Sequence, residues 1–315
     1  MAFIKFISYK NGLLIYSFFL VLINIFLTQL PLTSTFGYEF AAINGLILAV
    51  IAGLHTFNFI NKSEFAPTEL IKNLLILFLI PFVITIINSI LTMFCSFIDG
   101  LTFYFVIVSV SILFGVAIAT IVSLISKRFN RLIFFIIIIL IAMVPILEIY
   151  FYPQVYFYSP LIGYFPGNIY DEGLSAIWKL LFHQLLVFVF SITIVIIFIK
   201  RSTLVLKYKK YYFLSIIVTV TSFQFISPLL GFTTTFSKLD STLPNRIESK
   251  SFILHYDDID STEAKLIALN QEYYYSQLYT ALQTEPSRII NVYLFNDREQ
   301  KKNIFGAGNA DVAKP

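Results

Sequence analysis

The stretch Tyr211-Tyr-Phe-Leu-Ser-Ile-Ile-Val-Thr-Val-Thr-Ser-Phe-Gln-Phe-Ile-Ser-Pro-Leu-Leu-Gly-Phe-Thr-Thr-Thr-Phe-Ser237 contains no charged residue. A helix needs about 20 predominantly apolar residues to cross a bilayer, so this stretch predicts a membrane span. Lys238 then opens a segment rich in charges, and an alternating pattern follows in Ser251-Phe-Ile-Leu-His-Tyr256. Alternation with a period of two is typical of a half-buried β-strand. The chain therefore changes here from a membrane protein into a water-soluble fold.

The composition also indicates an integral membrane protein. Of 315 residues, 58% are hydrophobic and 13% are charged, whereas charged residues make up about a quarter of an ordinary soluble domain. The single cysteine, Cys95, excludes an internal disulfide. The sequence contains no H-E-x-x-H, C-x-x-C, P-loop or G-x-G-x-x-G motif, and its three histidines are isolated from one another.

Seven apolar runs are candidate transmembrane helices, and they lie within residues 1–237, which we predict to be the membrane domain. The first run follows Lys5 and Lys10 and is not followed by an A-x-A-like cleavage site, so we expect an uncleaved anchor. The runs are Leu13–Leu30, Phe40–Ile60, Leu74–Ile98, Leu101–Ser126, Leu132–Tyr152, Leu180–Ile199 and Tyr211–Leu230.

The basic residues predict the orientation of these helices. If the N-terminus is cytoplasmic, the three outer loops contain one basic residue, Lys179. Cytoplasmic loops of membrane proteins are enriched in Lys and Arg, so we expect the N-terminus inside and residues 238–315 outside the cell membrane. The formal net charge of +4 thus reflects topology and gives no indication of a nucleic-acid partner. The inner segments contain Lys5, Lys10, Lys62, Lys72, Lys127, Arg128, Arg131, Lys200, Arg201, Lys207, Lys209 and Lys210.

Two polar positions in the predicted spans are candidate functional residues. Glu148 is the acid in the fifth run, where a carboxylate marks an ion or proton path or else reaches headgroups and water at the outer end. His183, followed by Gln184, lies near the outer end of the sixth run. Its two interpretations are hydrogen bonding between helices and chemistry. The sequence leaves both pairs of alternatives open.

The outer loop Pro153–Trp178 is interrupted by prolines and glycines, which prevent a regular helix. We predict that Asp171 and Glu172 form the solvent-exposed tip of the loop, and they are further candidate functional residues. The loop could dock the C-terminal domain, form a rim that faces a substrate, or lie on lipid headgroups. Its aromatic residues suit the interfacial belt of a membrane, and they are Tyr156, Phe157, Tyr158, Tyr164, Phe165 and Tyr170.

The last part of the chain predicts a linker, 238–249, and the start of a soluble α/β domain, 250–315. A strand at Phe252–Tyr256 is followed by Asp260-Ser-Thr-Glu263, which has the spacing of a capping box. The helix that it opens should run to about Gln283, and its buried arc should include Ala264, Ile267, Tyr274, Leu278, Ala281 and Leu282. A strand at Ile289–Phe295 and a short helix at Asp297–Phe305, stopped by Gly306, complete the prediction. These elements form only a partial α+β domain with a marginal core. Either the chain is a fragment, which we expect, or its last segment needs the membrane region or a partner to bury its apolar face.

The order of these elements resembles a known family. The residues that carry the resemblance are Arg246-Ile-Glu-Ser-Lys-Ser-Phe-Ile-Leu-His-Tyr256, the Tyr-rich helix, Ile290-Asn-Val-Tyr-Leu-Phe-Asn296, the short helix and the glycine-rich turn. Together they resemble the N-terminal half of gluzincin-type zinc peptidase domains, the peptidase MA-like group. A polytopic helical region precedes such an ectodomain in bacterial membrane-bound members of the group.

The resemblance implies a zinc metallopeptidase that acts on a peptide or protein outside the membrane. Zinc in that family is held by an H-E-x-x-H helix and a downstream Glu. Neither occurs here, so no catalytic, cofactor-binding or metal residue carries over, and zinc is expected only in a longer protein. One alternative is a permease-like membrane component of ABC-2 type with an ATPase partner and an accessory ectodomain. The other is a sensor or scaffold without catalysis.

Overall fold

A computed structural model describes residues 9–60, 67–92, 97–165, 178–200, 209–283 and 289–306. It divides the chain into two compact units. The first consists of Met1–Leu147, Tyr158–Phe165 and Leu174–Ser227, and the second of Glu148–Phe157, Pro166–Gly173 and Pro228–Pro315. The helices are α1 (Tyr9–Leu27), α2 (Tyr38–Ile60), α3 (Pro67–Thr92), α4 (Phe97–Phe103), α5 (Ser109–Ile125), α6 (Asn130–Phe151), α7 (Trp178–Lys200), α8 (Lys209–Ile226), α9 (Phe236–Thr242), α10 (Ser261–Leu282) and α11 (Arg298–Ile304). The strands are β1 (Phe157–Ser159), β2 (Gly163–Phe165), β3 (Asn245–Glu248), β4 (Phe252–Tyr256) and β5 (Ile290–Tyr293).

Each of the seven apolar runs is helical over most of its described residues, and the chain is mostly helical with a small sheet part. Within the described residues, five helices are long and apolar enough to cross a membrane: Tyr38–Ile60, Pro67–Leu91, Phe97–Ile125, Asn130–Phe151 and Trp178–Lys200. The apolar parts of α1 and α8, Gly12–Leu27 and Lys210–Ile226, are shorter. The helices are thus compatible with a membrane protein. The count of seven spans and their orientation stay predictions.

Helices α2 and α5 form the centre of the first unit. The most apolar windows of Tyr38–Ile60 and Phe97–Ile125 are 72% and 78% buried, against 22% for Pro67–Leu91 and for Asn130–Phe151. Small residues allow the two central helices to approach closely. A Cβ atom at Gly115 of α5 would overlap the backbone of Ala49 in α2. Close backbone approach at small residues is a common way of packing helices in membranes.

A π-helix, Tyr104–Val108, joins α4 to α5 in one continuous helix. Its residue Tyr104 is fully buried and donates its hydroxyl hydrogen bond to the carbonyl oxygen of Phe78 in α3, at 2.6 Å. Single π turns inside α-helices often occur at functional sites. Here the π-helix also carries Ile107, which contacts the site described below.

The second unit contains a three-stranded sheet in the order β3-β4-β5. Strands β3 and β4 are antiparallel, whereas β4 and β5 are parallel and are connected by α10. One face of the sheet packs against α10, where Leu254 and Tyr256 contact Ala264 and Ala268. Residues that point from the opposite face pack with α9 and α11, and this second cluster contains Leu239, Leu243, Ile304, Tyr293 and Phe295.

The predicted strand at Phe252–Tyr256 has these bounds in the structure, and the predicted long and short helices are also present. Gly306 follows α11 with φ +98°, a conformation that favours glycine. Asp260 is the N-cap of α10, but its side chain makes no capping hydrogen bond. The segment predicted as a linker, 238–249, contains most of α9 and all of β3. These elements form because the Thr235 side chain caps α9 and because β3 pairs with β4.

The predicted buried arc of α10 is wrong in its C-terminal half. Ala264 and Ala268 are buried, whereas Tyr274 is 70% exposed and Leu278 is 55% exposed. Glu272, on the opposite side of the helix from Tyr274, contacts the turn between β3 and β4, where it accepts hydrogen bonds from Ser249 and Ser251.

A candidate functional site at a buried hairpin

The hairpin turn Pro160-Leu-Ile-Gly163 lies inside the helical first unit. Leu161 is fully buried and packs in the same apolar cluster as Phe114 and Ala117 of α5. Two glycines make room for the turn. A Cβ at Gly45 of α2 would lie 2.8 Å from the carbonyl oxygen of Leu161. A Cβ at Gly163 would lie 2.6 Å from Ile107, and Gly163 also has φ +78°.

Side chains of two helices hold the backbone of this turn. The Ser111 hydroxyl of α5 donates to the carbonyl oxygens of Leu161, at 2.9 Å, and Pro160, at 3.2 Å. The Gln184 amide of α7 donates to the carbonyl oxygen of Ser159, at 3.0 Å. Three consecutive carbonyl groups therefore accept hydrogen bonds from side chains of the surrounding helices. Non-helical backbone is tolerated among membrane helices where the protein satisfies it in this way.

His183 lies beside Gln184 and is also buried. Its ring centroid is 5.3 Å from that of Tyr158 in the hairpin and 6.0 Å from that of Phe223 in α8. Gln184 has an additional property, because its amide oxygen is buried and makes no hydrogen bond within the described part of the chain. The site thus combines an imidazole, the Ser111 hydroxyl group, three carbonyl oxygens and one amide oxygen without a donor among the described residues.

Glu148, the other predicted site residue in a helix, belongs to the second unit and not to the hairpin site. It is 9% exposed, near the end of α6. Tyr156 follows in the same unit, and its hydroxyl lies 3.2 Å from that of Thr234. Burial raises the pKa of Tyr156, the hydrogen bond with Thr234 acts to lower it, and the Glu148 charge acts to raise it. Asp171 and Glu172 lie outside the described residues.

The outer loop differs from the interfacial belt that the sequence predicted. Tyr156, Phe157 and Tyr158 are each less than a tenth exposed, because they pack against protein. Gln154 and Val155 belong to the second unit together with the C-terminal segment. The Gln154 amide oxygen accepts from the Thr234 backbone N–H at 2.9 Å, and the Val155 N–H donates to Phe305 at 3.0 Å. Three of the six aromatic residues predicted for the interfacial belt are thus buried, whereas Tyr164 and Phe165 are partly exposed and Tyr170 lies outside the described residues.

A second polar cluster, which the sequence reasoning missed, joins four helices of the first unit. His55 of α2 is fully buried, and its Nε2 lies 3.1 Å from the amide nitrogen of Asn73 in α3. Arg131, at the start of α6, donates to Asn58 of α2 at 3.1 Å. The ring of Tyr16 in α1 lies edge-on to His55, with centroids 5.9 Å apart. Apart from His55 and Asn58 of α2, these residues are far apart in the sequence, and each taken alone shows no pattern.

A third polar cluster lies on the second unit's sheet, on the α9 side. Arg246, His255 and Tyr293 are aligned across the three strands. Asp240 of α9 lies 3.4 Å from the Arg246 guanidinium and 3.9 Å from Nδ1 of His255. Burial raises the pKa of Tyr293, the Asp240 charge raises it further, and Arg246 opposes the shift. His255 therefore lies beside the Arg246–Asp240 ion pair, and its Nε2 is 3.1 Å from the amide oxygen of Asn291.

No group of three or more His, Cys, Asp or Glu side chains that could hold a metal ion occurs within the described ranges. No protein-family model matches the sequence, and neither a curated protein nor a solved structure shows a significant match to it.

Proposed function

We propose that this chain is a multi-pass membrane protein that displays its C-terminal α/β unit outside the cytoplasm, as the opening part of a gluzincin-type peptidase domain. One observation carries the proposal. The chain runs β4, α10, β5 and α11, with β4 and β5 parallel, which is the order of elements on which the resemblance rests.

The orientation rests on the flanking charges. Lys127, Arg128 and Arg131 lie between α5 and α6, and Lys200 and Lys209 lie at the adjoining ends of α7 and α8. The loops predicted on the opposite side contain one basic residue before residue 238, Lys179. This bias supports a location of the second unit on the outer side of the cell membrane.

Under this proposal the zinc ligands and the general base come from residues outside this sequence. Zinc would polarise a peptide carbonyl and activate water. The described residues of the second unit would provide the first strands of the sheet, on which such a domain is built. Peptides or proteins outside the membrane are the proposed substrates.

Labelling of single cysteines tests the orientation. In a Cys95→Ser background, Ser237→Cys and Ser261→Cys introduce thiols at exposed positions of the second unit. We expect a membrane-impermeant maleimide to label both in intact cells. Arg128→Cys, exposed between α5 and α6, is the matched control and should react only after permeabilisation. If the control is labelled in intact cells and the other two positions are protected, the second unit lies on the cytoplasmic side. This outcome would exclude an extracytoplasmic peptidase.

Zinc content and peptide hydrolysis test the chemistry, with protein isolated from its own host membrane. We expect stoichiometric zinc and a chelator-sensitive peptidase activity. Protein with the expected labelling pattern but without zinc or hydrolysis would instead support a sensor or scaffold.

A permease-like function is the second candidate, because the buried hairpin gives the first unit an internal polar site that an anchor does not need. Co-purification of a stoichiometric ATPase subunit would support this function. Membranes from the host, solubilised in a mild detergent, are the material for that measurement.

A further inference from the structure

The Ser111 and Gln184 side chains leave one buried oxygen acceptor of the hairpin site without a donor among the described residues. The Ser111 hydroxyl has one proton, which is shared between the carbonyl oxygens of Pro160 and Leu161. Gln184 directs its amide nitrogen at the carbonyl oxygen of Ser159, and its own amide oxygen is buried without a donor among the described residues. An unsatisfied buried acceptor of this kind costs about 1–3 kcal/mol.

The chemistry of the oxygens limits the ligand that could satisfy them. They are neutral carbonyl, hydroxyl and amide oxygens, and no carboxylate contributes to this set. Magnesium and calcium sites normally include carboxylates, because these compensate the charge of a divalent ion. Unwound backbone carbonyls inside membrane helices, by contrast, coordinate sodium ions in transporters.

We infer that the hairpin site binds a monovalent alkali cation, held by the carbonyl oxygens of Pro160 and Leu161, the Ser111 hydroxyl oxygen and the Gln184 amide oxygen. On binding, the Ser111 proton turns away from the two carbonyl groups and leaves their lone pairs to the cation. The site adds to the first unit a ligand-binding role that is independent of the second unit and its peptidase resemblance.

The close packing of the turn explains why the site would be selective. Gly45 of α2 packs closely against the turn, since a Cβ there would lie 2.8 Å from the Leu161 carbonyl oxygen. This carbonyl group therefore has little room to move aside for a large cation or an organic ammonium ion. A compact ion fits this constraint.

Thermal unfolding of the detergent-purified chain tests the inference. Melting is compared in sodium chloride, potassium chloride and N-methyl-D-glucamine chloride at equal ionic strength. At about five times its Kd, the bound cation should raise the Tm by about 2 °C relative to the organic ammonium salt. The sodium and potassium arms identify the preferred ion.

Ser111→Ala removes one ligand oxygen and should abolish this rise in Tm. Ser191→Ala is the matched control. Ser191 is also a buried serine, but it lies about two helical turns after Gln184 in α7 and outside the proposed ligand set. It should retain the rise. The absence of a rise in the unmodified chain, or an equal rise in Ser111→Ala, would overturn the inference.

Equilibrium binding provides a readout that does not depend on the folding of the variants. Radioactive sodium, and rubidium as the tracer for potassium, are measured on the unmodified chain. We expect saturable binding of one ion per chain, displaced by unlabelled alkali salt but not by N-methyl-D-glucamine. Lack of saturable binding of both ions would exclude the site.

Discussion

Substitution Gly115→Ala should separate the two central helices of the first unit. An added Cβ would lie 2.8 Å from the carbonyl carbon of Ala49 and 2.9 Å from its Cα, and closer still to the oxygen. Carbon atoms pack best at about 3.5–4.0 Å, so the contact is short by about 1 Å. The obstacle is backbone within a helix and cannot rotate away. The α5 helix must therefore move relative to α2.

The expected loss of stability follows from two opposing terms. Overpacking of a core costs about 1–3 kcal/mol, and a clash with backbone belongs at the upper end of this range. Alanine is favoured over glycine inside a helix by about 1 kcal/mol. We therefore expect a net destabilisation of about 2 kcal/mol, which lowers the Tm by about 4–8 °C at the roughly 2–4 °C per kcal/mol typical of larger domains.

Thermal unfolding in detergent micelles measures this loss, with Gly37→Ala as the control. A Cβ at Gly37 would meet only the end of the flexible Glu39 side chain, at 3.3 Å. The control should stay within about 0.5 kcal/mol of the unmodified protein. If Gly115→Ala melts together with the control, the two helices are not in backbone contact and the proposed packing is refuted.

Three further predictions concern single contacts. Gly163→Ala should cost about 2–3 kcal/mol, since it combines a positive φ of 78° with a Cβ that would lie 2.6 Å from Ile107; the Tm in micelles measures it. Glu272→Gln should cost about 1 kcal/mol at neutral pH, because the carboxylate accepts from two serines in the β3–β4 turn. Asp297→Ala should cost about 1 kcal/mol and release α11, because the carboxylate caps it by accepting from the Gln300 N–H at 2.6 Å; hydrogen exchange at that amide measures it.

The Glu272 prediction includes a pH dependence. Burial acts to raise its pKa, but the hydrogen bonds from Ser249 and Ser251 and the Lys250 charge outweigh burial, so the pKa lies below its ordinary value. A lowered pKa stabilises the fold above the unfolded pKa of about 4.3, and this contribution is lost as the pH falls through the folded pKa. The stability difference between the unmodified protein and Glu272→Gln should therefore shrink on acidification. A constant difference across this range would contradict the assignment.

For the other two substitutions the controls are positional. Exposed Ser237→Ala, in the first turn of α9, should leave α11 protected and serves for Asp297→Ala. Tyr164→Phe, in the same hairpin as Gly163, tests whether any change in β2 lowers the Tm. If Ser237→Ala releases α11 as much as Asp297→Ala does, the Asp297 cap is not the cause. If Tyr164→Phe lowers the Tm as much as Gly163→Ala does, the positive φ and the close contact of Gly163 are not the cause.

Local patterns were sufficient to predict the helices and the second unit's β4, α10 and α11. Apolar runs, alternation and the stop at Gly306 all depend on neighbouring residues. The buried hairpin was not predictable in this way, because Leu161 is buried by Gly45 and Ser111, which are distant in sequence. Its prolines, glycines and aromatic residues fit a lipid-facing loop equally well.

The candidate residues show the same division. His183 was selected as a polar residue in an apolar run, and the structure places it at the hairpin. Ser111 has no such signal, because a serine in a membrane helix is unremarkable in sequence. The prediction for α10 failed for a related reason. Hydrophobicity favoured the arc with Tyr274, whereas Glu272, on the opposite side, contacts a distant turn.

The π-helix determines the rotational phase of all residues that follow it in the long helix. Gly100, before it, packs closely against Phe36, and Gly115, after it, packs closely against Ala49. A π turn contains more residues than an α turn, so both glycines meet their partners only with this additional length. If the same residues Tyr104–Val108 formed a regular α turn instead, every residue of α5 would be rotated by about 100° relative to α4. Ser111 and Gly115 would then turn away from the hairpin and from α2 together, so the register of the ligand oxygens and that of the helix packing are set by the same five residues.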